Sequence, residues 1–213
     1  MRVEVNGMNP WENIDLDVYE KHMSLEEVSQ LQALNQRMKV QLSDKTYSTV
    51  MILGIAGGNG LEHVSREQYT SIYGVDINGE YLKQCEIRYP MLKDCFHPVQ
   101  VDLMQEEISL PHVEYVIANL VVEYIGYEHF QHAIAAVAPE KVSCVIQVNG
   151  DQGFVSSSPY LHAFDELEQV HVPMEESVLI QTMENIGYCK TEEQVQGLPN
   201  GKKLVQMDFR LKK

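Results

Sequence analysis

The chain has 213 residues, enough for one domain with a two-sided core and small additions. Its hydrophobic fraction of 44% and charged fraction of 22% are those of an ordinary globular protein, which excludes a disordered or fibrous chain. Sixteen Lys and Arg stand against 31 Asp and Glu, a formal net charge of −15, so the long-range field repels polyanions and anionic membrane surfaces; no nucleic-acid partner and no membrane association are expected.

The opening Met1-Arg-Val-Glu-Val-Asn-Gly7 lacks the apolar core of a secretory signal, and no run approaches the ~18 apolar residues of a membrane span. Asn9 to Met23, with Pro10 and the only tryptophan, Trp11, reads as an irregular lead-in. Ser24-Leu-Glu-Glu27 has capping-box spacing, and Leu25, Val28, Leu31, Leu34 and Met38 recur at helical intervals, predicting an amphipathic helix that ends before Thr46. Residues 1–45 are therefore expected to form an N-terminal helical cover over a cleft. Tyr19, His22 and Met23 either face that cleft or anchor a surface helix.

From position 49 strands and helices alternate. Strands are predicted at Thr49 to Leu53, Ser71 to Val75, Pro98 to Val101, Val113 to Ala118 and Lys141 to Val148, with helices around 60–68, 79–88 and 127–137. Residues 151–172, just beyond a strand end, form an expected active-site insertion in which Ser156-Ser-Ser-Pro159-Tyr160 leads into helical spacing. Pro173-Met-Glu-Glu opens a further helix with proline in its first turn, and Tyr188 to Val195 and Lys203 to Leu211, joined through Asn200-Gly201, form a hairpin. Residues 46–213 thus make a doubly wound α/β domain with a mostly parallel, Rossmann-like sheet ending in an antiparallel hairpin. The basic residues of this end, Lys202, Lys203, Arg210, Lys212 and Lys213, read mostly as edge-strand protection. Cys85, Cys95, Cys144 and Cys189 show no C-x-x-C pattern and are expected as reduced thiols of a cytoplasmic protein. His129 and His132 stand three apart without further ligands, so no metal site is expected.

The apolar run Val50-Met-Ile-Leu-Gly54 breaks into Ile55-Ala56-Gly57-Gly58-Asn59-Gly60, as a buried strand must where it stops beneath a ligand. The dinucleotide fingerprint G-x-G-x-x-G fails here: with Gly58 and Gly60 as the first pair, His63 takes the third place. No Lys or Arg stands in the turn to call for a pyrophosphate. The ordered set of Ala56-Gly-Gly-Asn-Gly60, Ile72-Tyr-Gly-Val-Asp76-Ile77, Val99-Gln-Val-Asp102-Leu103 and Val116-Ile-Ala-Asn119-Leu120 resembles the class I S-adenosylmethionine-dependent methyltransferases over residues 49 to 150.

That resemblance implies S-adenosylmethionine as cofactor, bound by Gly54, Ala56, Gly57, Gly58, Gly60, Asp76, Ile77, Asp102, Leu103 and Asn119. Asp76 would accept both ribose hydroxyls, Asp102 the adenine amino group, and Asn119 would lie near the methionine portion. Asp76 and Asp102 also suit helix N-caps. Gly54 stands where the family usually carries an acid, and Ala56 replaces its first glycine at little cost if φ is negative, so binding is better supported than catalysis. The implied activity is methyl transfer to a small-molecule acceptor by in-line displacement. Candidate bases are Tyr19, His22, Glu123, Tyr124, Tyr160 and His162. A non-catalytic binding protein is the alternative, and a nicotinamide-dependent oxidoreductase a more remote one.

Overall fold

A computed structural model describes residues 9–149 and 153–212, so the readings made on residues 1–8, on 150–152 and on Lys213 lie outside the described residues. Five parallel strands, β1 (Thr49–Leu53), β2 (Ser71–Asp76), β3 (Phe96–Gln100), β4 (Tyr115–Asn119) and β5 (Lys141–Val148), are joined by the antiparallel β7 (Lys203–Leu211), on which the edge strand β6 (Tyr188–Gly197) pairs. The order is β3-β2-β1-β4-β5-β7-β6. Chain direction therefore reverses its winding between β1 and β4, which opens a crevice at their carboxyl ends.

The alternation within β1 explains the two layers. Val50 and Ile52 point to a cluster that includes Met38 and Leu42, Leu82, Cys85 and Ile117, whereas Met51 and Leu53 point to one built on Phe130, Ile134, Leu179 and Met183. The first face is covered by α2 (Gln30–Gln41) and α3 (Gly79–Arg88), the second by α4 (Val122–Val137) and α5 (Glu176–Glu184). Among the described residues no helix is long and apolar enough to cross a membrane.

Several local expectations are corrected. The lead-in contains a 3-10 turn, Pro10–Glu12, and a helix, α1 (Leu16–Ser24), N-capped by Asp15, whose Oδ1 accepts from Val18 N at 3.1 Å. Ser24 is thus the last residue of α1 and not a capping-box residue; its hydroxyl donates to Lys21 O, and the chain turns before α2 begins. The expected helix at 60–68 is a single 3-10 turn, Leu61–His63. Tyr69 is buried with its hydroxyl directed to Leu42 O, drawing the chain straight back to β2. Pro173 precedes α5 and does not sit in its first turn. Lys202 is not edge protection: it is buried, and its Nζ donates to Phe154 O at 2.6 Å.

Helix α2 has a polar means of docking. Gln41 exchanges two amide hydrogen bonds with Asn119 of β4, at 3.0 and 2.9 Å, and donates to Ser143 Oγ of β5 at 3.0 Å. Ser143 in turn donates to Asp208 of β7, which pairs with Lys141 at 3.0 Å. These bonds fix the register of α2 on the sheet; Gln206 of β7 also donates to Ser143 and Asp208, and its own buried Oε1 is left without a partner.

The glycine turn leans on the same helix. Gly60 has φ +99°, and a Cβ there would meet the side chain of Met38, whereas Gly201 has φ +82° with open space around it. Gly201→Ala should cost about 1 kcal/mol through backbone strain alone, and Gly60→Ala should cost at least about 2 kcal/mol because overlap with α2 adds to it. Urea unfolding of the two variants measures the difference.

Candidate active site

The crevice between β1 and β4 is a concave cleft at the carboxyl ends of the strands. Its floor is Gly54, Ala56, Asp76, Ile77, Asp102, Leu103 and Asn119, and Trp11, Tyr19, Tyr81 and Tyr124 enclose it. Seven of the ten residues expected to hold the cofactor, and the candidate bases Tyr19 and Tyr124, therefore share one surface. Gly57 lines a neighbouring cavity beneath α1, while Gly58 and Gly60 sit behind the turn, where a Cβ would strike Leu61 and Tyr89 or Met38.

Asp76, at the end of β2, is buried; its Oδ2 accepts from Ala56 N at 2.9 Å and its Oδ1 from Asn78 N at 2.9 Å. Burial pushes its pKa up, opposed by these N–H groups. The helix-cap reading does not apply, because Asn78 caps α3, accepting from Glu80 N and Tyr81 N. The Asn78 amide also donates to Trp11 O at 3.0 Å, tying the tryptophan loop over the cleft. Asp102 accepts from Met104 N at 2.9 Å in a turn that no helix follows. Ala56 has φ +48°, not the negative value expected, and Leu120 has φ +56° on the opposite lip; each costs roughly 1–2 kcal/mol of backbone strain.

Tyr19, Leu120 and Tyr124 also line a second chamber, walled further by His22, Gln147, Phe154, Phe164 and His171 among others. Glu123 stands in it on the first turn of α4, which Gly126 (φ 76°) offsets from the rest of the helix. Its Oε1 accepts from Gln147 N at 2.6 Å, and its buried Oε2 has no hydrogen-bond partner. Burial raises this carboxyl to about 7.

Burial, with Asp76, Glu20 and Glu123 nearby, likewise pushes the Tyr19 phenol up; burial and Glu123 do the same to Tyr124, so both stay protonated. His22 and His171 are shifted down by burial and then by Lys202, favouring neutral imidazoles. His22 Nδ1 lies 2.8 Å from Ser158 Oγ, and His171 stacks on Phe154. Lys202 itself is lowered to about 8 by burial. Tyr160 and His162 do not join this group: Tyr160 packs against the Phe164 and Leu167 cluster and exposed His162 pairs with Asp165. Sequence reading missed Trp11, Tyr81, Phe154 and His171 as site residues; only Trp11, a lone tryptophan beside a proline, carried a signal.

No protein-family model and no curated protein matches the sequence. Solved structures do match. The magnesium protoporphyrin IX methyltransferase of Synechocystis PCC 6803, solved with bound S-adenosylhomocysteine, superposes with a TM-score of 0.64 over 92% of this chain and 93% of that one at 10% identity. The chain has the fold of S-adenosylmethionine-dependent methyltransferases. The N-methyltransferase NodS of Bradyrhizobium japonicum WM9 is similar over 89% of this chain and 100% of that one, with a TM-score of 0.61 and 12% identity. The [4+2]-cyclase SpnF is similar too, over 84% of this chain and 81% of that one, with a TM-score of 0.63 and 9% identity. The methyltransferase fold is thus shared with a neighbour named for other chemistry, and activity has to be argued from the residues.

Because the folded-state pKa of Glu123, about 7, lies above its ordinary 4.5, the fold holds this proton more tightly than the unfolded chain does. Its stabilising contribution is complete below 4.5 and is lost as pH rises through about 7. Relative to Glu123→Gln, the wild type should lose up to roughly 3 kcal/mol of stability across that window, measured by denaturant unfolding at a series of pH values.

Proposed function

We propose that this chain binds S-adenosylmethionine in the β1–β4 cleft and catalyses transfer of its methyl group to a small-molecule acceptor. The observation that carries the reading is the convergence of Asp76 and Asp102, from adjacent strand ends, on the floor that Gly54 and Ala56 leave open. The donor and acceptor set fits a nucleoside with no phosphate. Asp76 keeps lone pairs for the two ribose hydroxyls, Asp102 accepts an adenine amino group, and Ile77, Leu103 and Ile125 offer apolar surface to a base. Gly57 and Asn119 flank the methionine end, and Gly58 and Gly60 act by shaping the turn. Bound there, the cofactor supplies an electrophilic methyl on sulfur for in-line displacement.

The surrounding residues orient the reactants and exclude water. Trp11 and Tyr19 close the mouth of the cleft, and Tyr124 stands between it and the second chamber. In this reading residues 1–45 are the cover, residues 46–213 the cofactor domain, and 151–172 the acceptor-side insertion. The net charge of −15 disfavours nucleic acid. Four free thiols, three of them buried, support a cytoplasmic location.

S-adenosylhomocysteine at a hundredfold excess over its dissociation constant should stabilise the protein by roughly 2.7 kcal/mol, whereas NADH should not. Asp76→Asn retains an acceptor for Ala56 N and should weaken S-adenosylhomocysteine binding roughly 10- to 100-fold by calorimetric titration. Stabilisation by NADH alone would sink the reading. Cofactor binding without turnover on any acceptor would favour a binding protein, which the missing acid at Gly54 makes the specific rival.

A further inference from the structure

Glu123 poses a physical problem that methyl transfer in general does not explain. Glu123 is only 3% exposed and one of its carboxyl oxygens lacks any hydrogen-bond partner, so the group carries a desolvation penalty that calls for an explanation. The Gln147 N–H holds Oε1, so the orientation of the carboxyl is set and Oε2 is the free atom. Glu123 lines a chamber whose other walls include Trp11, Tyr124, Phe154, Phe164 and His171, with Oε2 screened from solvent behind that wall. Trp11, shared by chamber and cleft, also leaves its Nε1–H without a partner.

We propose that this chamber is the acceptor site, that it takes an aromatic hydroxyl compound, and that the hydroxyl docks on Glu123 Oε2, which receives its proton during transfer. The proposal rests on the methyltransferase reading above. Aromatic walls suit a flat ring, since offset or edge contacts add about 0.5–1.5 kcal/mol each beyond area burial. One free acceptor atom calls for one donor: a hydroxyl satisfies it, whereas an ammonium would leave further N–H groups facing rings. A second polar group on the compound would meet the Trp11 N–H.

The step balances. The O–H proton passes to the Glu123 carboxylate, and an oxygen lone pair forms the new O–CH₃ bond. The electron pair of the broken S–CH₃ bond stays on sulfur, giving a methyl ether, neutral S-adenosylhomocysteine and a protonated Glu123 that returns its proton to solvent.

A carboxyl raised to about 7 is matched to neutral pH for this task. The groups around it do not compete for the proton. Tyr19 on α1, Tyr124 and Tyr127 on α4, and Cys144 on β5 are all shifted upward and remain protonated. His22 and His171 are shifted down, and the cation on this side, Lys202, is committed to Phe154 O.

The test uses the full chain with and without saturating S-adenosylhomocysteine, and titrates 1-naphthol, 1-methoxynaphthalene and 1-naphthylmethylammonium by calorimetry between pH 5.5 and 8.5. The wild type should prefer the naphthol over its ether roughly 10- to 100-fold, with the preference rising through an inflection near 7. In Glu123→Gln, whose amide oxygen can still accept from Gln147 N, that preference and its pH dependence should vanish while S-adenosylhomocysteine affinity is unchanged. A role confined to folding would move neither. Equal binding of naphthol and ether, tighter binding of the ammonium, or a preference that survives the substitution would overturn the proposal, as would failure of every arene to bind. Should Glu123→Gln fail to fold, the wild-type pH profile of the naphthol-to-ether ratio decides alone. Loss of S-adenosylhomocysteine binding in the wild type would instead overturn the cofactor reading, and the arms without it would still judge the chamber.

Discussion

The carboxylate of Asp76 is the point on which the site depends. One oxygen holds the Ala56 N–H of the turn after β1, the other holds the Asn78 N–H that begins α3, and Asn78 in turn holds the Trp11 carbonyl. Three segments distant in sequence are fixed relative to one another through two adjacent side chains. The bond to Ala56 also explains how an alanine stays in a left-handed conformation: a charge-assisted hydrogen bond offsets the strain of φ +48°. The same group that shapes the turn also lines the cleft, so one residue both fixes the turn and forms part of the floor.

The cover is attached by polar contacts at both of its helices, and this decides which parts of the site are rigid. Arg88 of α3 reaches Glu20 of α1 with two nitrogens and also donates to Gly57 O at 3.2 Å, clamping α1 across the glycine turn. Asn59 donates to Leu31 O and accepts from Asn35, both of the cover, so the turn is gripped from its other side. Tyr19 and His22 lie on the helix held by the clamp, which keeps the roof of the cleft and a wall of the second chamber in one body.

The sheet was legible because its strands obey the period-2 and buried-run rules, and because Gly, Asn and Pro punctuate them. Thr49–Leu53 and Lys141–Val148 are found at the bounds read from sequence, and the turn at Asn200-Gly201 closes the hairpin. Asp76 and Asp102 were legible as strand-end acids. What was not legible depends on tertiary context. Nothing local says that Ser24 ends a helix and Asp15 begins it, since both residue types cap well. Nor does sequence reveal that Gln41 serves a buried seam, that Lys202 is inside, or that Phe154 and His171 close on Glu123, because each partner lies far along the chain.

The missing acid at Gly54 takes a different meaning once its surroundings are known. Its φ is +64°, and a Cβ there would come within 2.8 Å of the Val121 side chain, so the position excludes any side chain and is not simply lacking one. Glu20 lines the cavity beneath Gly54 and Gly57 but is already paired with Arg88. The carboxyl with a partnerless buried oxygen lies at Glu123, in the wall of the second chamber, so the acid that the turn excludes at Gly54 has its counterpart across Tyr124 and not beside the turn.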